Sequence, residues 1–352
     1  MVESEIGLIN RLPVGEGQKL EQLVAQRLGD YLTVFTPVRN KVLAVNGDVY
    51  TPFSLVEGKA STLGVFARCL VHDASGRISG CLNLETYEGH GRTAILGRVL
   101  FCDKQGRIYR DVDLKGIGSV GPWGVSGPGH IREDGRREGL LDEDSAFYEW
   151  QVSEELLFAG IRTPKVLAII GLEELVVHRG LDRENWKLVE AIENNIIDFG
   201  FKPVILVRAF GVRSRIQDPY HYPFLDRLLV SDAKRMVEAE EAREFTNEEF
   251  LGWFGKTLGE NVATMHNMGL KHGYFTPHNI TLDCRIVDLD TVSPIELRIE
   301  READYIEAAD TMVWMGRYVD AGLARGEQSG ILVCSFRQGY DEVFKGKEVP
   351  IK

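Results

Sequence analysis

The residues of this sequence with the most direct chemistry are an amide, a carboxylate and three cations. Asn279 and Asp288 lie nine residues apart in "HGYFTPHNITLDCRIVD" and offer the hard oxygen ligands that Mg²⁺ takes together with substrate phosphates. Lys115 ends a strand-like run and opens a glycine-rich stretch, where an ammonium group can reach nucleotide phosphates. Arg208 and Arg215, in "RAFGVRSR", carry guanidinium groups that bind phosphate oxygens in bidentate fashion. Together these residues predict a site for nucleotide phosphates and a divalent metal.

Each of these residues also has an ordinary structural alternative. Lys115 could be a surface lysine at a strand end, and Arg208, Arg213 and Arg215 could form a solvated basic turn. Asp288 ends the apolar run "RIVD", which predicts a short buried strand, and its carboxylate could be a structural hydrogen-bond acceptor. The order of lysine, arginines, amide and carboxylate along one chain favours the site over these alternatives.

The stretch 272–288 has the spacing of a protein-kinase catalytic loop with its base replaced. Kinases carry H-R-D-L-x-x-x-N, followed by an Asp that holds Mg²⁺. His272 and Asn279 keep that spacing, and Asp288 follows Asn279 by nine residues, but Tyr274 stands where kinases have the base. The stretch therefore predicts a phosphate-handling loop without the carboxylate that accepts the hydroxyl proton in kinases.

The elements around Lys115 are predicted to be a hairpin and a helix. Residues 92–115 contain two β-rich runs on either side of the polar turn "DKQG", which predicts a hairpin. Residues 142–160 predict a helix with acidic residues in its first turn and Phe147, Trp150 and Leu157 at helical spacing. This helix supplies two candidate partners for the Lys115 ammonium, Glu149 and Glu154. The helical angle makes Glu154 the more inward of the two, although spacing does not choose between them.

The rest of the chain changes from strands to helices. "PKVLAIIG" and "KPVILVRAFG" predict buried strands, and the pattern becomes helical from Asp218. Thr246 and Glu249 predict a capping box at the start of a long helix, and residues 301–323 predict another helix. The layout predicts an α+β, protein-kinase-like fold with two lobes. We expect an N-terminal extension packing on the N-lobe, a kinase-like N-lobe and a helical C-lobe at residues 1–83, 84–212 and 213–352, respectively.

The composition favours a globular cytoplasmic protein. The 352 residues carry a net charge of −12, which argues against a nucleic-acid or anionic-membrane partner. The five cysteines are scattered without a C-x-x-C pair, a spacing that suits neither a zinc site nor a disulfide framework. No run has the length of a membrane span, and the first residues lack the pattern of a signal peptide.

Six motifs, in order, resemble those of the selenoprotein O family. These proteins are pseudokinase-fold enzymes that transfer AMP from ATP to protein hydroxyl groups, with the nucleotide flipped relative to kinases. The matching motifs, which fall within residues 84–323, are "EGHGRTAILGR", "LKGIG", "EDGR", "YEWQVSEELLFAGIRT", "RAFGVRSR" and "HGYFTPHN". The resemblance implies nucleotide binding by Gly89, Gly91, Arg92, Lys115, Asp134, Gly135, Arg208, Arg215 and Asp288. It further implies metal binding by Asn279 and Asp288, and its register nominates Glu149 as the partner of Lys115.

The chain departs from the family pattern at two positions beside the metal ligands. The family's proton acceptor is an Asp, whereas this chain has His278, and "DLD" replaces D-Y-G at Asp288. An imidazole titrates near the operating pH and can take a hydroxyl proton, so the role can survive this change.

These observations predict an ATP- and Mg²⁺-dependent adenylyltransferase, with Mn²⁺ as an alternative metal. His278 would accept the proton from a protein or small-molecule hydroxyl, while Lys115, braced by Glu149, would bind the phosphates that leave as pyrophosphate. One alternative is a small-molecule kinase or nucleotidyltransferase of the same fold. The other is a non-catalytic pseudokinase that binds nucleotide or a partner as a scaffold.

Overall fold

The described part of the chain divides into a strand-rich unit and a helical unit. A computed structural model describes residues 33–50, 68–72, 84–86, 92–95, 100–117, 139–179, 182–221, 223 and 226–346. The sheet unit consists of the described residues within Pro13–Tyr148 and Val166–Ala209. The helical unit consists of those within Glu149–Lys165 and Phe210–Lys352.

The described elements follow the predicted change from strands to helices. The strands are β1 Thr33–Pro37, β2 Asn40–Val45, β3 Val49–Tyr50, β4 Arg68–His72, β5 Leu84–Thr86, β6 Arg92–Ile95, β7 Phe101–Asp103, β8 Ile108–Tyr109, β9 Asp111–Lys115, β10 Leu141–Asp142, β11 Lys165–Leu172, β12 Glu174–Arg179, β13 Asp182–Lys187, β14 Pro203–Phe210, β15 Leu270–Lys271 and β16 Ser293–Pro294. The helices are α1 Glu143–Phe158, α2 Leu188–Glu193, α3 Asp218–His221, α4 Asp226–Glu241, α5 Asn247–Asn267, α6 Arg298–Tyr318 and α7 Arg325–Val343. The α+β class is therefore confirmed.

The main sheet places the strand of Lys115 between two neighbours. Its strands follow the order β2-β11-β14-β9-β6-β5, and β10 pairs with β14. Strands β6 and β9 are antiparallel, with Arg92 opposite Lys115, while β7 and β8 pair around the turn that follows Asp103. The predicted antiparallel return of the chain around this turn is thus confirmed, with β6 and β9 in the main sheet and β7 and β8 in a three-stranded sheet with β3. The extension predicted at residues 1–83 contributes β2, which pairs with β11.

The two predicted apolar strands form the centre of the sheet unit. All eight residues of β14 are buried, and β11 is buried at all but one position. A strand covered on both faces reads as a continuous apolar run, which explains why these segments could be recognised from sequence. Their side chains pack in one core with those of Phe101, Tyr109 and Leu114.

The long helix of the helical unit begins as predicted. The Thr246 hydroxyl accepts from the Glu249 amide at 3.1 Å, and a Glu249 carboxylate oxygen accepts from the Thr246 amide at 2.7 Å. Five apolar residues at helical spacing on α5 are fully buried; they are Phe250, Phe254, Leu258, Val262 and Met265. Capping and helical periodicity are local, so the sequence specifies both.

Several predicted elements are wrong in detail. Phe147 lies on the exposed side of α1, at 42% exposure, because α1 buries Ala146 and Val152 instead. The apolar run before Asp288 forms a single bridge between Ile280 and Ile286 rather than a strand. The helix predicted at residues 301–323 runs from Arg298 to Tyr318, and α7 and the β12–β13 hairpin were not predicted.

Candidate functional site

The stretch of residues 272–288 forms a loop that turns back on itself. Isolated bridges join Ile280 to Ile286 and Arg215 to Thr281, and the Val287 amide donates to the Asn279 carbonyl at 2.9 Å. These backbone bonds bring the residue before Asp288 next to Asn279. The nine-residue spacing seen in the sequence therefore corresponds to a closed turn.

Arg215, Asn279 and Asp288 converge in this loop. Arg215 Nη1 lies 3.4 Å from Asn279 Oδ1 and 3.8 Å from Asp288 Oδ2, and it also donates to the His278 carbonyl. Asp288 has a left-handed backbone, with φ of 60°. Such a conformation is uncommon for a residue other than glycine and is concentrated at functional sites. We name these three side chains, together with His278, the loop cluster.

His272 ties the start of the loop to its end. Its Nδ1 accepts from the Tyr274 amide at 3.2 Å, so the proton of the neutral ring is on Nε2, which donates to the Val287 carbonyl at 2.8 Å. The ring also stacks on Phe275, with the centroids 4.7 Å apart. The histidine at the kinase-like position thus has a structural role within the loop.

Helix α6 holds the same loop through three side chains on one face. Asp304 accepts from the Gly273 amide at 2.7 Å and from the His272 amide at 3.2 Å. Glu307 accepts from the Phe275 amide at 2.7 Å, and the Thr311 hydroxyl donates to the Phe275 carbonyl at 2.6 Å. These anchors are not among the residues predicted from the sequence. The feature that could have indicated them is the position of Asp304 in the same helical stripe as the apolar residues Ala308 and Met315, because a carboxylate buried there needs hydrogen-bond donors.

His278, the predicted base, lies at the partly exposed side of the loop. Its Nδ1 is 2.8 Å from the Thr276 hydroxyl, and its ring packs edge-to-face on Tyr274 with centroids 5.4 Å apart. These contacts orient the imidazole. They fit a base in a fixed position and equally fit a residue that packs against Tyr274.

A network of charged side chains binds the turn at Asp283 and Arg285. Arg285 donates to Asp283 Oδ2 at 2.8 Å and to Glu240 Oε1 at 2.6 Å. Arg162 also binds Glu240 and donates to the Asp283 carbonyl at 3.0 Å. Two cations and two anions balance one another, as buried charges require. This network was not predicted from the sequence, because Arg162, Glu240 and the pair Asp283–Arg285 lie in three distant segments of the chain.

The predicted cations of the sheet unit are buried. Lys115 is only 7% exposed, so the surface-lysine alternative is wrong. The next residue, Gly116, has φ of +98°, and a Cβ there would lie 2.3 Å from the Val204 carbonyl oxygen. Glycine after this lysine is therefore required by the backbone.

Arg208, a predicted phosphate ligand, is bound by a carboxylate within the sheet. Its Nη2 and Nε donate to Asp113 Oδ1 at 2.7 and 3.1 Å, and both side chains are almost completely buried. Arg213 and Arg215 are buried as well, which excludes the solvated basic turn. Arg215 lies in the loop cluster, whereas Arg208 has a partner that a phosphate would have to displace.

The two candidate glutamates of α1 differ strongly in burial. Glu149 is 1% exposed. The Glu154 side chain is 36% exposed and binds Lys165 Nζ at 2.6 Å. The helical-angle argument that placed Glu154 further inward is therefore wrong. The motif register, which nominated Glu149, selected the more deeply buried residue.

Four predicted nucleotide-binding residues lie outside the described residues: Gly89, Gly91, Asp134 and Gly135. Arg92 is described only through its backbone, in the pair with Lys115. Their roles stay predictions.

The donor set of the loop cluster fits a metal that is completed by phosphates. In the described part of the chain, no group of three or more His, Cys, Asp and Glu side chains could hold a metal ion. Mg²⁺ needs fewer protein ligands, since it is commonly bound by one or two side chains together with substrate phosphates and water. Asn279 Oδ1 and Asp288 Oδ2 meet this need. Arg215 competes for the same two oxygens.

No protein-family model and no curated protein matches the chain. Among the described residues, no helix has the length and apolar character needed to cross a membrane.

Proposed function

We propose that this protein is a nucleotide-dependent transferase with a protein-kinase-like fold, and specifically an adenylyltransferase that uses ATP and Mg²⁺. The observation that carries the proposal is the loop cluster. There the amide oxygen of Asn279 and a carboxylate oxygen of Asp288 lie within 3.8 Å of Arg215 Nη1. Asp288 has a left-handed backbone conformation. Protein kinases, whose catalytic loop has a similar spacing, hold Mg²⁺ and phosphates there, and the charges of the loop cluster support the same task for this loop.

The roles of the side chains follow from their chemistry. Asn279 and Asp288 would hold Mg²⁺. The bound metal would neutralise negative charge on the nucleotide phosphates. Arg215 would contribute its guanidinium to the phosphates of the nucleotide, whose oxygens bind such a cation in bidentate fashion. His278 would take the proton from the acceptor hydroxyl, whose oxygen attacks the α-phosphorus as pyrophosphate leaves. Lys115, with Glu149, would bind the phosphates that leave.

Transfer of AMP is favoured over transfer of phosphate because Tyr274 occupies the position of the kinase base. A phosphotransferase mechanism of the kinase type would lack its proton acceptor. His278 comes one residue before Asn279, and its ring contacts the side chains of Thr276 and Tyr274, whereas both ring nitrogens of His272 bind backbone groups of the loop. The motif resemblance to the selenoprotein O family supports the same choice.

The test is incubation of the purified protein and a cell lysate with Mg²⁺ and ATP labelled at either the α- or the γ-phosphate. We expect the α-label, and a mass gain of AMP, on the acceptor. The Asp288→Ala variant should lose this transfer, while Asp290→Ala, an exposed carboxylate two residues away, should keep most of it. Transfer of the γ-label alone would indicate a kinase. Binding of ATP with no transfer to any acceptor would indicate a scaffold.

A further inference from the structure

A chain of buried hydrogen bonds leads from α7 to the candidate loop. The Tyr340 hydroxyl lies 2.8 Å from His266 Nδ1, and His266 Nε2 lies 3.0 Å from Asp304 Oδ2. Asp304 in turn accepts from the amides of His272 and Gly273. Three helices, α7, α5 and α6, thereby connect to one turn of the loop.

Hydrogen-bonding chemistry sets the direction of this chain. The Asp304 carboxylate receives two backbone N–H groups and can only accept, so His266 Nε2 must be the donor to it. In the neutral ring, Nδ1 is then an acceptor, and the Tyr340 hydroxyl donates to it. Burial raises the pKa of Tyr340 above its usual range, which keeps that proton on the phenol.

The arrangement is specific, because the alternatives would leave polar groups buried without partners. His266, Asp304 and Tyr340 are each less than one-tenth exposed. The ring of Tyr340 is fixed between Tyr305 and Phe344, with centroids 4.6 and 5.1 Å away. A phenol held in this way selects one tautomer of His266 and so orients the Asp304 carboxylate.

We propose that Tyr340 and His266 are positioning residues that hold the loop of residues 272–279 through Asp304. The effect on catalysis rests on the function proposed above, since that loop carries His278 and Asn279. The effect on the loop itself does not depend on any activity. Neither residue belongs to the sequence motifs, and Tyr340 lies in a helix that the sequence did not predict.

The first experiment measures amide hydrogen exchange in Tyr340→Phe, which keeps the ring and removes only the hydroxyl. We expect amide exchange at His272 and Gly273 to become roughly fivefold faster, which is the effect that loss of one hydrogen bond usually has. The amides of α5 and α6 should stay protected. The matched control is Tyr305→Phe, which removes the hydroxyl of the neighbouring ring, whose centroid lies 4.6 Å from that of Tyr340, and leaves Tyr340, His266 and Asp304 unchanged. Unchanged exchange at the two amides, or a uniform increase over all three helices, would overturn the proposal.

A second pair of variants tests the role of His266 directly. Glutamine places an amide donor near the position of Nε2, whereas asparagine places its amide near Nδ1 and falls short of Asp304. We expect His266→Gln to keep the His272 and Gly273 amides within about twofold of wild type, and His266→Asn to lose several-fold protection. Equal exchange in the two variants would contradict transmission through Asp304.

Kinetics provide the third readout. Tyr340→Phe should lower kcat for transfer several-fold and leave KM for ATP within about twofold, because the loop orients the reacting groups rather than the bulk of the nucleotide. A raised KM with unchanged kcat would contradict the positioning role. If the wild-type protein transfers nothing from ATP, the proposed function fails, and the exchange measurements still decide the positioning of the loop.

Discussion

Replacement of Gly259 by alanine should destabilise the helical unit. Gly259 lies in the middle of α5, and a Cβ built there would be 2.1 Å from the Phe336 carbonyl oxygen and 2.7 Å from the Tyr340 amide nitrogen of α7. Carbon–oxygen contacts of this kind normally stay at about 3.3 Å or more. The two helices would therefore have to separate by about 1 Å, because the obstructing atoms are backbone and cannot rotate away.

The expected magnitude follows from two opposing effects. Overpacking of a tightly packed contact costs about 1–3 kcal/mol, and rigid backbone neighbours place Gly259→Ala at the upper end. Alanine is favoured over glycine in a helix interior by about 1 kcal/mol, which offsets part of that cost. The free energy of unfolding should fall by about 2 kcal/mol.

Gly330 provides the matched control. It lies in α7, and among the described residues no atom beyond its chain neighbours and the adjoining helix backbone is within 4 Å of a Cβ built there. Gly330→Ala should therefore raise the free energy of unfolding by about 0.5–1 kcal/mol. Amide exchange in α5 measures both variants without assuming that a chain of two units unfolds in one step. Stabilities of the two variants within about 0.5 kcal/mol would refute the close packing of α5 on α7.

Three further predictions concern charged and titratable groups. Lys115→Met should lower kcat/KM for ATP about tenfold or more, since a charge-assisted bond to phosphate is lost; unchanged kinetics would make Lys115 structural. His278→Ala should slow transfer by about 100-fold. If His278→Ala keeps the wild-type rate and Asp290→Asn loses it, the base is Asp290 and not His278. Burial raises the pKa of Asp226 from 3.8 to about 6. The stability that the protonated carboxyl contributes is therefore fully present below the unfolded pKa and is lost as pH rises through 6. In urea titrations, the free energy of unfolding of Asp226→Asn, relative to that of wild type, should rise by about 1–2 kcal/mol from pH 5 to pH 7.5. The same dependence of this free energy on pH in both proteins would contradict the prediction.

The sequence by itself determined the local features of the protein. The two apolar strands, the hairpin that ends in Lys115 and the capping box at Thr246 all appear where the sequence predicts them. Each depends on residues that are close in the chain, through periodic burial, turn residues or a cap. The spacing of Asn279 and Asp288 is local in the same sense, and it corresponds to one closed turn.

Only the tertiary structure decided which partner each polar side chain has. Arg208 and Asp113 are 95 residues apart, and the sequence does not indicate that this predicted phosphate ligand forms a buried ion pair within the sheet. Glu154 binds Lys165, and Asp304 accepts a hydrogen bond from Gly273, 31 residues earlier in the chain. The position of Asp304 in an apolar stripe indicates burial, but it does not indicate which backbone groups the carboxylate binds. The physical reason is that a buried charge must be matched by whichever donor or acceptor the packed elements bring within hydrogen-bond distance. That choice depends on the packing of distant segments, which local periodicity and motif spacing do not contain.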